Sequence, residues 1–389
     1  MRICIIFTLL FSLFINCFGV LPDSTFNDIP DSSLVDKESQ KFLYELKKRV
    51  IPYGSYRITF GMNTNGYFGM SDNASRFGIE ASMPLNEKKS FRIFGVVEFG
   101  TNLVDKDEII VFRSDPGAEY TEEGNAIFSR LGYMGVSTKY FSFSVGKQWS
   151  VYYDVSSFTD QFYAFGAEGS ATFNLNSDGG ISGTGRANRV FILRSKLKGP
   201  FKIALQAQNR DISDNHRTFA DTYGASIRYE PQMGLLLGFS LNIVRDGVEN
   251  PAFNQPKIDD RAFIGAIGFI RNNFHVAYSF SKFHNHEKLN INDTVSLFFS
   301  GYGMEFFVGY NFTKSRRWRA ATGLNLLQPE KNSQAGLLRR LYYICEVSYN
   351  FSKSSYIFTT AKINNSSDIN GLVDTVSIFA MGLRFSFGY

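Results

Sequence analysis

Cysteine is almost missing from this 389-residue chain: Cys4 and Cys17 fall in the first seventeen residues, and only Cys345 lies beyond them. Once an N-terminal leader is removed, no intrachain disulfide can form. Cys345 shares an alternating face with Leu341, Tyr343, Val347 and Tyr349, the setting of a small apolar side chain rather than a reactive thiol. Tryptophan occurs only twice, against 40 Phe and 20 Tyr. Past the leader, no apolar run reaches the roughly 20 residues that a membrane helix requires. The net charge of +5 is mild and its Lys and Arg are dispersed, which leaves no basic patch for nucleic acid. No G-x-S-x-G motif occurs, and the glycines of 179–185 are not followed by Gly-Lys-Ser/Thr or a helix pattern. His284-x-His286 with Glu287 lacks a further ligand set, so it reads as a solvated loop and not a metal site. Neither catalytic residues nor a cofactor or metal is expected.

Periodicity is what the chain has in abundance. Residues 1–19 read as a secretory signal: Arg2, an apolar stretch from Cys4 to Ile15, and Cys17-Phe18-Gly19 as a cleavage site. Phe14, Ile15 and Asn16 fit a lipobox poorly. In residues 20–52, Ser33 and Asp36 resemble a capping box, and Val35, Phe42, Leu46 and Val50 form a helical stripe. A short amphipathic helix in a periplasmic segment is expected there, with a barrel over 53–389. In the last strand Phe379, Met381, Leu383, Phe385, Phe387 and Tyr389 share one face. Ala380, Gly382, Arg384, Ser386 and Gly388 share the other.

Sixteen such segments begin near 53, 75, 89, 128, 140, 188, 201, 221, 234, 261, 273, 300, 316, 339, 354 and 376. Short connections alternate with long ones centred near 68, 115, 168, 215, 252, 290, 333 and 370. Ten-residue alternating strands joined by loops sorted by parity are the pattern of an outer-membrane barrel, whose closure leaves no backbone group unpaired in lipid. The fold class expected is all-β: a sixteen-stranded antiparallel transmembrane β-barrel, apolar outside and polar inside. An arginine on the lipid face near the midplane costs about 2–4 kcal/mol, so inward positions are expected for Arg76 and Arg130. Phe77 and Ile79 beside the first, and Leu131 and Tyr133 beside the second, are assigned outward. His275, on the face of Ala277 and Ser279, is expected to line the lumen.

The connection over 149–187 is the longest and is rich in aromatics and glycine, which suggests a loop packed against the barrel's own interior. The run SRLGYMGVSTKYFSFSVGKQWSVYYDVSSFTDQFYAFGAEG (129–169), followed by GTGRANRVFILRS (183–195), resembles the fourth to sixth strands and constriction loop of Gram-negative general-diffusion porins. YGSYRITFG (53–61) and SRFGIEA (75–81) resemble their first two strands. The resemblance implies a trimer of water-filled channels in the outer membrane, each narrowed by an inward-folded third loop and passing small hydrophilic solutes. It also implies a ladder of wall cations facing loop carboxylates. Arg76, Arg130 and Arg186 match the wall positions. A fourth aligns with Ser55, where Arg57, two residues on, is the substitute. Asp160 matches one loop carboxylate; the second falls on Ala164, with Glu168 as its replacement.

The acidic loop over 102–127 is expected either to latch a neighbouring subunit or to lie near lipopolysaccharide and its divalent ions. The terminal aromatics Phe387 and Tyr389 resemble the signal read by the outer-membrane assembly machinery. A substrate-selective channel and, from another class, an outer-membrane barrel hydrolase are the alternatives; an adhesin lacks a passenger domain.

Overall fold

The computed structural model describes residues 49–86, 90–101, 104, 126–173, 178–209, 220–245, 260–290, 296–312, 315–331, 333, 335–352 and 354–388. The expected signal, the helical stripe as far as Leu46, most of the acidic loop and Tyr389 lie outside the described residues, while Val50, the stripe's last member, belongs to a strand.

β1 (Val50–Asn63) opens the barrel, and β2 (Phe68–Asp72) and β3 (Arg76–Pro84) both pair with it, forming the two halves of one wall strand. The wall continues through β4 (Arg92–Thr101), β5 (Ile127–Ser137), β6 (Phe141–Trp149), β7 (Arg186–Ser195) and β8 (Phe201–Gln208). Next come β9 (Thr222–Tyr229), β10 (Leu235–Val244), β11 (Arg261–Arg271), β12 (Phe274–Asn290) and β13 (Ser296–Asn311). β14 (Trp318–Pro329), β15 (Arg340–Asn350) and β16 (Tyr356–Asn364) follow. A small ribbon of β17 (Ser366–Ser367) and β18 (Val373–Asp374) precedes β19 (Ile378–Phe387). Every neighbouring pair is antiparallel, and β19 closes on β1 from Gly54↔Phe387 to Asn63↔Ile378. With β2 and β3 counted as one and the ribbon set aside, sixteen strands form the closed wall.

Alternation places the side chains as expected over most of the wall. In β8, Phe201, Ile203 and Leu205 are exposed while Ala204, Gln206 and Gln208 are buried. In β19, Phe379, Met381, Leu383 and Phe385 are exposed, with Ala380, Gly382 and Ser386 buried between them. Cys345 lies exposed on the outer face of β15 between Tyr343 and Val347. The short turns use left-handed residues where tight reversal requires them: Asn272 (φ 55°) between β11 and β12, and Gly199 (φ 129°) between β7 and β8.

Four expectations need correction. The wall begins at Val50, so residues 50–52 belong to the barrel and not to the preceding segment. Pro52 is tolerated because it pairs only with Ile79, on the β3 side; β19 first meets β1 at Gly54, so no ladder on that flank needs its N–H. The first long connection shrinks to a turn, because Phe68–Asp72 pairs with β1 as β2. In β5, Leu131 and Tyr133 face inward, opposite inward Glu98 and Val96, whereas Met134 is 60% exposed. A β-bulge is the cause: the register jumps from Glu98↔Leu131 to Phe99↔Ser129, which leaves Arg130 as the extra residue and turns it inside. Finally, His284, His286 and Glu287 lie within β12 and not in a solvated loop, and the last two are buried.

Candidate functional site

The polar inner wall contains an apolar seat, and the segment between β6 and β7 occupies it. This segment (loop 3) holds one helical turn, α1 (Tyr153–Ser156). Tyr152, Val155, Phe158 and Ala171 pack with inward Ala262, Ile264 and Phe283. Phe162, Ala164 and Phe165 pack with Phe307, Ile344 and Phe358. The Phe162 and Phe307 rings meet edge-on at 5.0 Å, a geometry that adds about 0.5–1.5 kcal/mol to the area buried.

Hydrogen bonds fix the loop around the wall. Val151 N–H donates to Gln206 Oε1 of β8 at 3.0 Å, and Ser240 Oγ of β10 donates to the Val151 carbonyl at 3.1 Å. Buried Glu305 of β13 accepts from Thr159 Oγ1 at 2.5 Å and from Gly169 N–H at 2.9 Å. Buried Glu346 of β15 accepts from Tyr163 N–H at 2.8 Å and from Arg319 at 2.7 Å. Arg319 also donates to the Gln161 carbonyl at 2.8 Å, and Asn73 Nδ2 to the Tyr163 carbonyl at 3.0 Å. Buried Tyr152 donates to the Ser170 carbonyl at 2.8 Å. Burial, with Glu305 and Glu287 nearby, pushes its phenol well above the ordinary range, so it remains a donor.

The return limb is held by charge. Asp178 lies 3.0 Å from Lys147 Nζ and 3.3 Å from Arg186 Nε. Burial alone would raise its carboxyl; Arg186 and Lys147 outweigh that and hold it below the ordinary value.

The wall arginines divide into two groups. Arg186 is 1% exposed against Asp178, and Arg130 is 2% exposed with its Nε 3.0 Å from Glu98 Oε1. A side chain that buried does not line a water-filled passage; these two brace the loop and the wall. Arg76 shares Glu98 at 4.0 Å and is partly exposed. Arg57 and Arg384 face each other in register across the closing seam. Arg57 Nε donates to Ser55 Oγ at 2.9 Å; Arg384 donates to Ser386 Oγ at 2.9 Å and to Tyr356 OH at 3.1 Å. Among the described residues, neither has a carboxylate within ion-pair distance.

The loop carboxylates are engaged: Asp160 accepts from Tyr153 OH at 2.8 Å, and Glu168 pairs with Lys362 Nζ of β16 at 2.5 Å. Between the two sets stands a column of stacked groups. Arg384 lies over Tyr356 at 5.5 Å, Tyr356 stacks on Tyr163 at 3.9 Å, and Arg319 covers Tyr163 at 4.7 Å. The loop and the arginine wall are thereby set at one level of the barrel.

Glu305, Glu346, Arg319, Arg384, Lys362 and Tyr163 escaped the sequence reading as site residues. Alternation does turn Glu305 and Glu346 inward. Arg319 of the adjacent β14 supplies a cation to Glu346, whereas Glu305 is set opposite no cation on its neighbouring strands and so signals a distant partner. Nothing in the local sequence says which loop supplies it.

A closed sixteen-strand barrel with an apolar outer belt and a polar interior is an outer-membrane channel. The family model described as Gram-negative porin matches residues 52–369, and the chain belongs to that family. It is 26% identical over 292 residues to outer membrane protein Omp-EA of Erwinia amylovora, covering 67% of this chain and 74% of that one. To outer membrane porin N of Escherichia coli (strain K12) it is 25% identical over 301 residues, 68% of this chain and 76% of the relative. The Salmonella typhi OmpF structure, solved with daunomycin, superposes with a TM-score of 0.69 at 18% identity, over 87% of this chain and 97% of that one. The protein is an outer-membrane porin through which small hydrophilic solutes diffuse passively.

Proposed function

We propose that the porin works as a homotrimer whose pores are narrowed by loop 3 and favour anions at the narrowing. The observation that carries the sign is the pairing of Arg57 with Arg384 across the seam. Arg57 faces Arg384 in register, and among the described residues no carboxylate lies within ion-pair distance of either. Glu98 is the acid shared by Arg76 and Arg130. Asp160 and Glu168, which could oppose the wall, are engaged by Tyr153 and Lys362. Across a passage narrower than about one Debye length, ~8 Å at physiological salt, solvent ions screen this field incompletely.

No chemistry is assigned to the interior. Two of its hydroxyls help to hold the loop: Ser240 donates to the Val151 carbonyl and Ser281 to the Gly169 carbonyl. A signal in residues 1–19 and a periplasmic segment up to residue 49 complete the reading.

A bilayer recording in a salt gradient tests the sign. The wild-type reversal potential is expected on the anion side, and Arg57→Ala with Arg384→Ala moves it towards cations. A cation-selective wild type, or a double variant with unchanged potential, removes this cluster from the constriction. Arg130→Ala is expected to reduce stability more than selectivity.

A further inference from the structure

The run His284-Asn285-His286-Glu287 sets three titratable groups within one strand, and a bulge decides where they point. In unbroken alternation from inward Phe283, residues 285 and 287 would face inside and His286 outside. Instead the β12–β13 register passes from Phe283↔Gly301 to Glu287↔Phe299, so three residues of β12 stand against Ser300 alone. Asn285 absorbs the distortion with φ 45°. The bulge brings both His286 and Glu287 inside, while His284 stays exposed and bonds Ser300 Oγ. Bulges of this kind re-aim a side chain at the cost of local pairing. A barrel strand crosses the membrane in about 9–11 residues, so His286, twelve residues beyond Phe274 at the short-turn end, lies past the span.

His286 is 0% exposed. Its Nδ1 lies 2.6 Å from Asp260 Oδ1, and its Nε2 lies 3.0 Å from the carbonyl oxygen of Ala171 in loop 3. Both partners are acceptors. A neutral imidazole carries one N–H and can satisfy only one of them, whereas the imidazolium satisfies both. Among the described residues no three His, Cys, Asp or Glu groups are placed to hold a metal ion, so the geometry is that of a two-sided donor.

We propose that His286 is a positioning residue for the channel: a cationic clamp that ties loop 3 at Ala171 to Asp260 at the head of β11, and that releases the loop's return limb when it loses its proton. Three neighbours govern it. Asp260 faces it directly, and Glu287 adjoins it on β12. Arg340 of β15 lies 4.0 Å from Glu287 and tempers that carboxylate. From the loop side, Tyr152 OH binds the carbonyl of Ser170, next to the clamped residue. Burial opposes the cation, while the facing Asp260 carboxylate, Glu287 and the Ala171 carbonyl favour it. The clamp is complete while the imidazolium persists and is lost as pH rises through its titration. It requires only that the barrel conducts and is independent of the sign of selectivity.

Single-channel conductance of the full-length protein, recorded from about pH 5 to 9, tests this. The wild type is expected to show one conductance step. His286→Gln, which offers a single donor, is expected to lose it. Asp260→Asn keeps the imidazole but removes the facing charge, and is expected to shift the step down by about 1–3 pH units. Heat-modified electrophoretic mobility establishes that each variant is folded, and if His286→Gln does not fold, Asp260→Asn decides alone. No step in the wild type, or a step unmoved in Asp260→Asn, overturns the proposal. Reversal potentials read in the same records report on the arginine wall, so the two readings fail separately.

Discussion

At Gly303 of β13, an added Cβ would fall 1.9 Å from the carbonyl oxygen of Gly169. From the other side, a Cβ on Gly169 would meet the carbonyl oxygens of Met304 at 2.5 Å and Leu326 at 2.8 Å. Loop backbone and wall backbone touch here, and a rigid carbonyl cannot swing away as a long side chain would. This is the close approach that only glycine allows. Ser281 Oγ and Glu305 bind the same glycine, so the contact is also the loop's polar anchor. Gly303→Ala is therefore expected to push loop 3 off β13. Stability should fall by about 1–3 kcal/mol, the usual penalty of overpacking, and single-channel conductance should change with it. Denaturant unfolding in detergent and bilayer recording read the two effects. Wild-type values in both would mean that the loop yields freely at this point.

Among elements, the return limb of loop 3 depends on one carboxylate between two cations, Lys147 of β6 and Arg186 of β7. Because Asp178 is held below its ordinary value, it binds a proton less readily when folded than when unfolded. Its contribution is complete above the unfolded value, near pH 4, and is lost as pH falls through the lower folded one. Acid unfolding should show this loss. Asp178→Asn should abolish that part of the acid sensitivity and cost about 3 kcal/mol at neutral pH, since it removes the carboxylate that buried Arg186 and half-buried Lys147 share. Equal acid sensitivity in the variant would assign the transition to another carboxylate.

Elements also show where sequence stops being a sufficient guide. Period-two alternation exposed the wall strands because each must present one face to lipid and one to water, as Phe201 and Gln206 do within β8. A bulge leaves no mark in that pattern. Arg130 was assigned inward on the premise that Leu131 and Tyr133 face lipid, yet the extra residue turns all three inside. The same device hid His286. The loop partners of Glu305 and Glu346 lie more than a hundred residues away, at Thr159 and Tyr163, and no local period encodes them. Alternation puts Arg384 on the inner face and the resemblance singles out Arg57, but only closure of the sheet sets them opposite one another.

For the whole molecule, closure is the step on which everything else depends, because an open edge in lipid leaves a row of unpaired backbone groups. The seam between β1 and β19 is made of small and large residues set against each other. Phe387 pairs with Gly54, and its ring lies 2.5 Å from where a Gly54 Cβ would stand, covering the glycine as an aromatic does in a cross-strand rescue. Tyr56 meets the same ring at 6.4 Å. Each such cross-strand pair contributes up to about 1 kcal/mol, too little to decide the stability of a closed barrel held by the whole ladder. During assembly the balance differs, because β1 and β19 are the first and last wall strands among the described residues and their pairing closes the sheet. Phe387→Ala, or deletion of Tyr389, is therefore expected to reduce the yield of heat-modifiable, membrane-inserted protein, while those channels that do form conduct as the wild type. Quantitative blotting of outer-membrane fractions measures the first effect and single-channel recording the second. Normal yield in both variants would show that the aromatic end neither guides assembly nor limits closure; altered conductance at normal yield would place its role in the finished pore.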